Sequence, residues 1–382
     1  MNTAEQPYEN VIYNMHIRKV VNMPQFRRIG VLTSGGDAPG MNATVRAVTR
    51  YAAANGVEVV GIYEGYKGLI EGNMKVFNTH DVANIIHQGG TILYSARSPE
   101  FKTEEGMAKA IANCEKYNID GIVAIGGDGT FRGATDISLR GIPTIGLPGT
   151  IDNDITATEV TIGYDTAMNT SVEMIDRLRD TCESHARCDV IEVMGRNAGY
   201  IALNVGMAVG ATATCLVEIP FKEEDIIEKM KKSRAEGKRN FLVVVSEGLV
   251  GYAEGLTKRI EEQTGIESRF ARLAHVVRGG NPTLADRELG SVMGVEAVKL
   301  LLDGKSDLVV CQRDGKICTT EISYALKLDK LFKSKYAGYK KEDEDKLLAG
   351  YTAEQRQKMN DFCRKKLQAM KDLYDISNTI SK

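Results

Sequence analysis

A chain of 382 residues with 49 Lys plus Arg against 51 Asp plus Glu is close to neutral, which excludes the strong field of a nucleic-acid or anionic-membrane binder. Its length predicts two domains, no apolar run is long enough to span a bilayer, and the N-terminus lacks the compact apolar stretch of a secretion signal. Seven Cys without paired metal-ligand spacing predict free thiols in a reducing, cytoplasmic setting, and 38 Gly, many directly after apolar runs, predict an α/β chain.

Residues 1–27 follow no regular pattern; Tyr8, Val11, Ile12 and Tyr13 are their clearest apolar knot, and the segment reads as an extension. From Arg28 the pattern is regular. Ile29–Thr33 predicts a buried strand, Ser34-Gly-Gly-Asp-Ala-Pro-Gly40 a Gly-rich loop, and Asn42–Ala54 a helix. That order brings backbone N–H groups and a helix N-terminus to phosphate oxygens, or makes no more than a tight turn. Val57–Tyr63 predicts the next strand, and in the following loop Tyr66 either stacks on a base or covers a core edge. Thr91–Tyr94 leads into Ser95-Ala-Arg97 and sets Arg97 at the C-terminal end of a strand, the ligand side of a parallel sheet. A guanidinium there meets several phosphate oxygens, or forms a surface ion pair.

Gly121–Ile125 runs into Gly126-Gly-Asp-Gly-Thr130, with a helix from about Phe131. The glycines admit a ligand to the backbone, Thr130 suits a helix cap, and Asp128 is the single carboxylate that Mg²⁺ takes alongside phosphates; a plain capped turn is the other reading. One strand later, Ile142–Leu147 ends in Pro148-Gly-Thr-Ile-Asp-Asn-Asp154. Its two carboxylates, two residues apart and just past a strand end, suit proton transfer from a hydroxyl, or else close an Asx-type turn. Two acidic loops on successive strand ends face one crevice.

The alternation continues with a helix over Thr166–Asp180, its core face carrying Met168, Val172, Ile175 and Leu178, then a strand at Asp189–Val193 and the loop Met194-Gly-Arg-Asn-Ala-Gly199. A helix follows at Tyr200–Val209, a strand at Cys215–Ile219, an amphipathic stretch at Glu223–Arg234, and a strand at Phe241–Val245 ending in Ser246-Glu-Gly248. His275 and Arg278 lie three apart at the close of an apolar run. With Arg187, Arg196 and Arg269 at loop or strand-end positions, they suit a pocket for an anionic substrate. From Leu326 the chain is highly charged, with a run from Lys340 to Lys346. Thr352 and Gln355 form a capping box before the apolar stripe of Met359, Phe362, Met370, Leu373 and Tyr374, which predicts a C-terminal helix docked on the body or on another subunit.

With these motifs in order, the chain resembles the 6-phosphofructokinase family over roughly residues 28–322: Ser34-Gly-Gly-Asp-Ala-Pro-Gly-Met-Asn42, Gly126–Thr130, Pro148–Asp154, Met194-Gly-Arg196 and His275-Val-Val-Arg-Gly-Gly280. The resemblance implies an α/β fold of two Rossmann-like three-layer α/β/α domains with mostly parallel sheets. It implies an ATP-binding domain of residues 28–163 plus about 277–327 and a fructose 6-phosphate-binding domain of 164–276, flanked by extensions at 1–27 and 328–382. Transfer of the γ-phosphoryl group of ATP to the sugar 1-hydroxyl, with Mg²⁺, and a homotetramer follow from it. Asp152 would then accept the hydroxyl proton and Asp128 ligate Mg²⁺, with Thr150, Ile151 and Asp154 beside the reacting oxygen and the metal. Arg97, Arg196 and the Gly36 N–H would neutralise the transferring group. ATP would lie along Gly36, Tyr66, Arg97, Ser98, Gly127, Asp128, Gly129 and Thr130. The sugar would be held by Met194, Gly195 and Glu247, and its 6-phosphate by His275 and Arg278, with Arg187 and Arg269 of an adjacent subunit.

Relatives using pyrophosphate typically carry Asp and Lys where this chain has Gly129 and Gly149, which favours ATP over pyrophosphate as donor. Arg46, Arg50, Arg179 and Lys238 fit the family's effector pocket for ADP or phosphoenolpyruvate. Thr212 replaces a usual acidic metal ligand, and Thr79 and Glu236 replace usual basic residues, which implies an altered or absent effector response. The rival readings are a different kinase sharing the Gly-Gly-Asp-Gly-Thr pentapeptide, and a non-catalytic nucleotide-sensing subunit.

Overall fold

The computed structural model describes residues 26–337 and 341–381, so the apolar knot at Tyr8–Tyr13 and the start of the charged run at Lys340 lie outside the described residues. In chain order the strands are β1 Arg28–Ser34, β2 Glu58–Ile62, β3 Met74–Phe77, β4 Gly121–Gly126, β5 Thr144–Pro148, β6 Cys188–Val193, β7 Ala213–Cys215, β8 Phe241–Ser246, β9 Ser268–Arg272, β10 Leu308–Arg313 and β11 Lys316–Glu321. The α-helices are α1 Met41–Ala54, α2 Tyr66–Glu71, α3 Glu104–Lys116, α4 Asp128–Ser138, α5 Tyr164–His185, α6 Tyr200–Ala208, α7 Glu223–Ala235, α8 Tyr252–Thr264, α9 Leu284–Leu302, α10 Ile322–Ser334, α11 Lys341–Leu347 and α12 Ala353–Ile380.

Two sheets organise the chain. The first runs β11-β10-β5-β4-β1-β2-β3, parallel except for its edge strands β3 and β11; the second, β7-β8-β6-β9, is parallel throughout. The continuous apolar runs explain this: β4, β5, β6 and β8 are buried at every residue, as strands covered by helices on both faces must be. This is the expected α/β fold. The C-terminal ends of β1, β4 and β5 present the Gly-rich loop, the Asp128 loop and the Asp152 loop side by side, with Ser34 opposite Gly126 and Gly126 opposite Pro148. Strand β7 spans Ala213–Cys215, so the strand expected at Cys215–Ile219 lies earlier in the chain.

Thr91–Tyr94 is not a strand. Its backbone groups are taken by side chains and loops: Ile92 N–H donates to Asn42 Oδ1, Thr33 Oγ1 donates to the Tyr94 carbonyl, and Glu64 N–H donates to the Leu93 carbonyl. Tyr94 has φ 57°, which breaks an extended run.

The capping box at Thr352 is present in full, and it starts a helix of 28 residues. Met359, Cys363, Leu367 and Met370 are its buried stripe. Helix α12 packs on α10 and α6 and ends where Lys229 Nζ of α7 bonds Ser381 Oγ at 2.6 Å, so it crosses from one sheet's helix layer to the other's. No described helix is long and apolar enough to cross a membrane.

Candidate active site

The Gly-rich loop after β1 is braced by two side chains, one of them on a residue that Tyr66 holds in turn. Thr130 Oγ1 donates to the Ser34 carbonyl at 3.0 Å, Ser95 Oγ to the Gly35 carbonyl at 2.5 Å, and Tyr66 Oη to the Thr130 carbonyl at 2.6 Å. Thr130 therefore ties two loops together; the N-cap of α4 is Gly127, with no side-chain cap. Tyr66 is not a free platform. Its ring is buried and stacked on Phe101, centroids 4.1 Å apart, which corrects the base-stacking reading in favour of a core edge. Gly36 matters for the approach it allows: the guanidinium of Arg278 lies 3.2 Å from where a Cβ would stand. Arg97 is exposed on the irregular 95–99 stretch rather than at a strand end, and Ser98 opens the turn to Phe101.

Asp128 is the first residue of α4, and its carboxylate meets Arg132 through two bonds of 3.1 and 2.6 Å. Asp152 is different. It is 5% exposed, and its Oδ1 is buried with no partner. Burial pushes its carboxyl up to about 6; the charge of Asp154 adds to this, and Arg196 and Arg278 pull against it. Asp154 is raised by burial, with Lys333 and Arg196 opposing and Asp128 adding. Asp154 thus lies within electrostatic reach of both Asp152 and Asp128. No group of three or more His, Cys, Asp and Glu that could hold a metal occurs among the described residues. Asp128 and Asp154 are hard oxygen donors that suit a divalent cation sharing its shell with ligand oxygens, as Mg²⁺ does.

Across the crevice, Glu247 Oε1 accepts the N–H groups of Gly195 and Arg196 at 3.1 and 2.5 Å. This holds the turn in which Arg196 has φ 56°, and that guanidinium is within electrostatic reach of Asp152 and Asp154. A pocket of about 370 Å³ opens here, and Met194, Arg196, Glu247 and His275 are in its wall. Gly129 faces open space; a Cβ at Gly149 would instead run 2.9 Å from Ile125 and 3.1 Å from Met41, so packing keeps Gly149 as it is.

The phosphofructokinase family model matches residues 28–301. The chain belongs to the phosphofructokinase family. It is 54% identical over 296 residues to an ATP-dependent 6-phosphofructokinase of Bacillus licheniformis, covering 78% of this chain and 92% of that one. With an ATP-dependent 6-phosphofructokinase of Thermus thermophilus it shares 52% over 302 residues, 78% of this chain and 94% of that one. Among solved structures, phosphofructokinase from Saccharomyces cerevisiae superposes with a TM-score of 0.78 at 31% identity, over 90% of this chain; this chain spans half of that one's length.

Not every residue expected of a phosphofructokinase lies at this crevice. Arg187 and Arg269 share Glu267 and stand at the N-terminal ends of β6 and β9, whereas Met194 and Glu247 follow the C-terminal ends of β6 and β8. Six residues of strand, about 17–20 Å, separate the two ends, so within one subunit these arginines do not reach the pocket. Of the residues expected at an effector pocket, Arg179 and Lys238 come together, with burial and Arg179 drawing the Lys238 ammonium down. Arg46 and Arg50 lie on α1 beside the first sheet. Thr212 and Glu236 line a second, larger cavity of about 570 Å³ between α7 and the end of α12.

Residues absent from the sequence reading include Arg132, legible as the i+4 partner of Asp128 on one helix. Arg272 and Glu192 are also in the pocket wall, joined at 2.6 Å. They face each other only through the β6–β9 register, which no local pattern announces.

Proposed function

We propose that this phosphofructokinase transfers the γ-phosphoryl group of ATP to the 1-hydroxyl of fructose 6-phosphate, giving fructose 1,6-bisphosphate and ADP. The observation that carries the reading is the buried, unpartnered Oδ1 of Asp152, on a carboxyl within electrostatic reach of Arg196 and Arg278. A carboxylate raised to about 6 is ionised at neutral pH yet basic enough to take a hydroxyl proton in the transition state. As the sugar oxygen bonds to the γ-phosphorus, its proton passes to Asp152 and the bond to the β-phosphate oxygen breaks. Arg196, Arg97 and the Gly36 N–H meet the charge on the transferring group, and Thr150 keeps the Asp152 turn in shape through its Oγ1. Mg²⁺, held by Asp128 with Asp154, would neutralise phosphate charge.

The triphosphate lies over Gly36 and the 127–130 loop, with Arg97 and Ser98 on its outer side. Fructose 6-phosphate occupies the pocket of Met194 and Glu247, its 6-phosphate on His275 and Arg278. Arg187 and Arg269 act from an adjacent subunit of a homotetramer, so that moving a subunit interface moves phosphate ligands. All seven cysteines are free thiols, in keeping with a cytoplasmic enzyme. Loss of two cations and one metal ligand at the effector residues alters or removes the allosteric response; phosphoenolpyruvate inhibition relieved strongly by ADP would contradict this.

The deciding experiment is steady-state phosphorylation of fructose 6-phosphate with ATP and pyrophosphate side by side, for the parent and for Asp152→Ser. Turnover with ATP falling about 10²- to 10⁴-fold in the variant is expected. Equal turnover refutes the role of Asp152, and a preference for pyrophosphate refutes the donor.

A further inference from the structure

The loop that carries Asp152 is held from behind by side chains that phosphoryl transfer itself does not use. Its two limbs are tied together: Thr150 N–H donates to the Ile162 carbonyl at 3.1 Å, Thr161 Oγ1 to the Thr150 carbonyl at 2.6 Å, and Asn153 Nδ2 to the Glu159 carbonyl at 3.0 Å. Asp152 and Asp154 stand on the outbound limb, so their positions depend on the return limb. There, three successive carbonyls each meet a cation. Lys366 Nζ donates to Thr156 O at 3.3 Å and Thr158 O at 3.1 Å, and Arg313 Nε donates to Ala157 O at 2.8 Å between them. The Thr156 N–H donates to Asp329 Oδ1 at 2.5 Å.

Lys366 differs from its neighbours in origin. It comes from α12, past the residues matched to the family, which end at 301. A lysine that only anchored a helix would run its stem over the surface and leave its ammonium in water. Here burial draws the ammonium down to about 8 against the pull of Asp329, itself raised by burial to about 7. Nζ also stands 5.4 Å from the ring centroid of Tyr200, the first residue of α6, so one ammonium joins the loop to a helix beside the second sheet. The same end of the molecule sends Lys333 of α10 to within 3.9 Å of Asp154.

Resting on the reading of Asp152 as proton acceptor, we propose that Lys366 is a positioning residue for phosphoryl transfer: from α12 it fixes the Thr156 and Thr158 carbonyls and thereby holds Asp152 and Asp154 at the crevice. Small misplacement of a reacting group lowers the rate of the chemical step far more than it weakens substrate binding, which is made by other residues.

The full-length Lys366→Met variant tests this with fructose 6-phosphate and MgATP, methionine keeping an unbranched side chain without a donor. The expected result is a kcat about ten- to a hundredfold lower, KM for both substrates within about twofold of the parent, and faster amide exchange across residues 150–162. Lys366→Gln restores a donor and recovers part of kcat; Lys366→Leu, which also lacks a donor, decides the matter if the methionine variant does not fold. Parental kcat in the variant that folds reduces Lys366 to a helix anchor and overturns the proposal, and so does a loss shared by kcat and both KM values. Asp152→Ser separates the two levels. If it retains turnover, the proton-acceptor reading fails; if it is inactive while the Lys366 variants run at the parental rate, only the positioning role fails.

Discussion

Asp128 and Asp152 follow neighbouring strands and carry the same side chain in opposite surroundings. Asp128 keeps 28% of its side chain exposed and is gripped by Arg132. Asp152 is buried, flanked by Asp154, and has an oxygen with no partner. The first setting makes a fixed charge that an arriving cation can take over from the arginine. The second suits the proton acceptor we propose, because burial and a like charge favour the neutral acid while Arg196 and Arg278 keep it ionised near neutrality. Strand order brings both carboxylates to the crevice; the nearest partner of each decides what it does there.

The largest effect expected from erasing this difference is that of Asp152→Asn. Turnover should fall about 10²- to 10⁴-fold, and the folded protein should become more stable at pH 7.5. The sign follows from the raised carboxyl. Its folded value is about 6 against 3.8 unfolded, so its contribution is fully present below pH 3.8 and is lost as pH rises through 6. The loss is on the order of 3 kcal/mol. An amide has no such proton to lose, so the variant gains roughly 1–3 kcal/mol at pH 7.5 and less than about 1 kcal/mol near pH 4. Urea midpoints at the two pH values measure this. In the parent, kcat/KM should drop roughly tenfold per pH unit below about 6.

On the Asp128 side the effect is smaller. Arg132→Ala removes an exposed ion pair of about 0.2–1 kcal/mol that competes with the cation. Half-saturating Mg²⁺ should fall roughly two- to fivefold, with kcat within about twofold. A higher Mg²⁺ requirement would show instead that Arg132 helps to hold the triphosphate.

The placement of the strand-end loops was legible because it is local: a Gly-rich loop, a carboxylate and a following helix are one stretch of chain each. Thr352 and Gln355 likewise announced α12 through two bonds made within four residues. What stayed hidden depends on register and on distant partners. Glu192 meets Arg272 across 80 positions, and Asp329 reaches Thr156 across 173. Thr91–Tyr94 has a strand's composition, yet Asn42 and Thr33, each some 50 to 60 positions away, capture its backbone first. Apolar run and β-branched content measure a preference for burial, which a pinned loop satisfies as well as a strand does.

The smallest expected effect lies at Tyr66, where a packing role and a ligand role make opposite predictions. Tyr66→Phe keeps the stack on Phe101 and deletes only the bond to the Thr130 carbonyl. A buried neutral hydrogen bond contributes about 1 kcal/mol, so a stability loss of that size is expected. Because that carbonyl belongs to the loop after β4, KM for ATP should rise by no more than roughly fivefold, the same 1 kcal/mol expressed as affinity. The ratio of ATP to GTP use should not change, since the ring is buried against Phe101. If Tyr66→Phe were silent in KM while Tyr66→Leu altered the ATP-to-GTP ratio, the ring would have to leave Phe101 and meet the base when nucleotide binds.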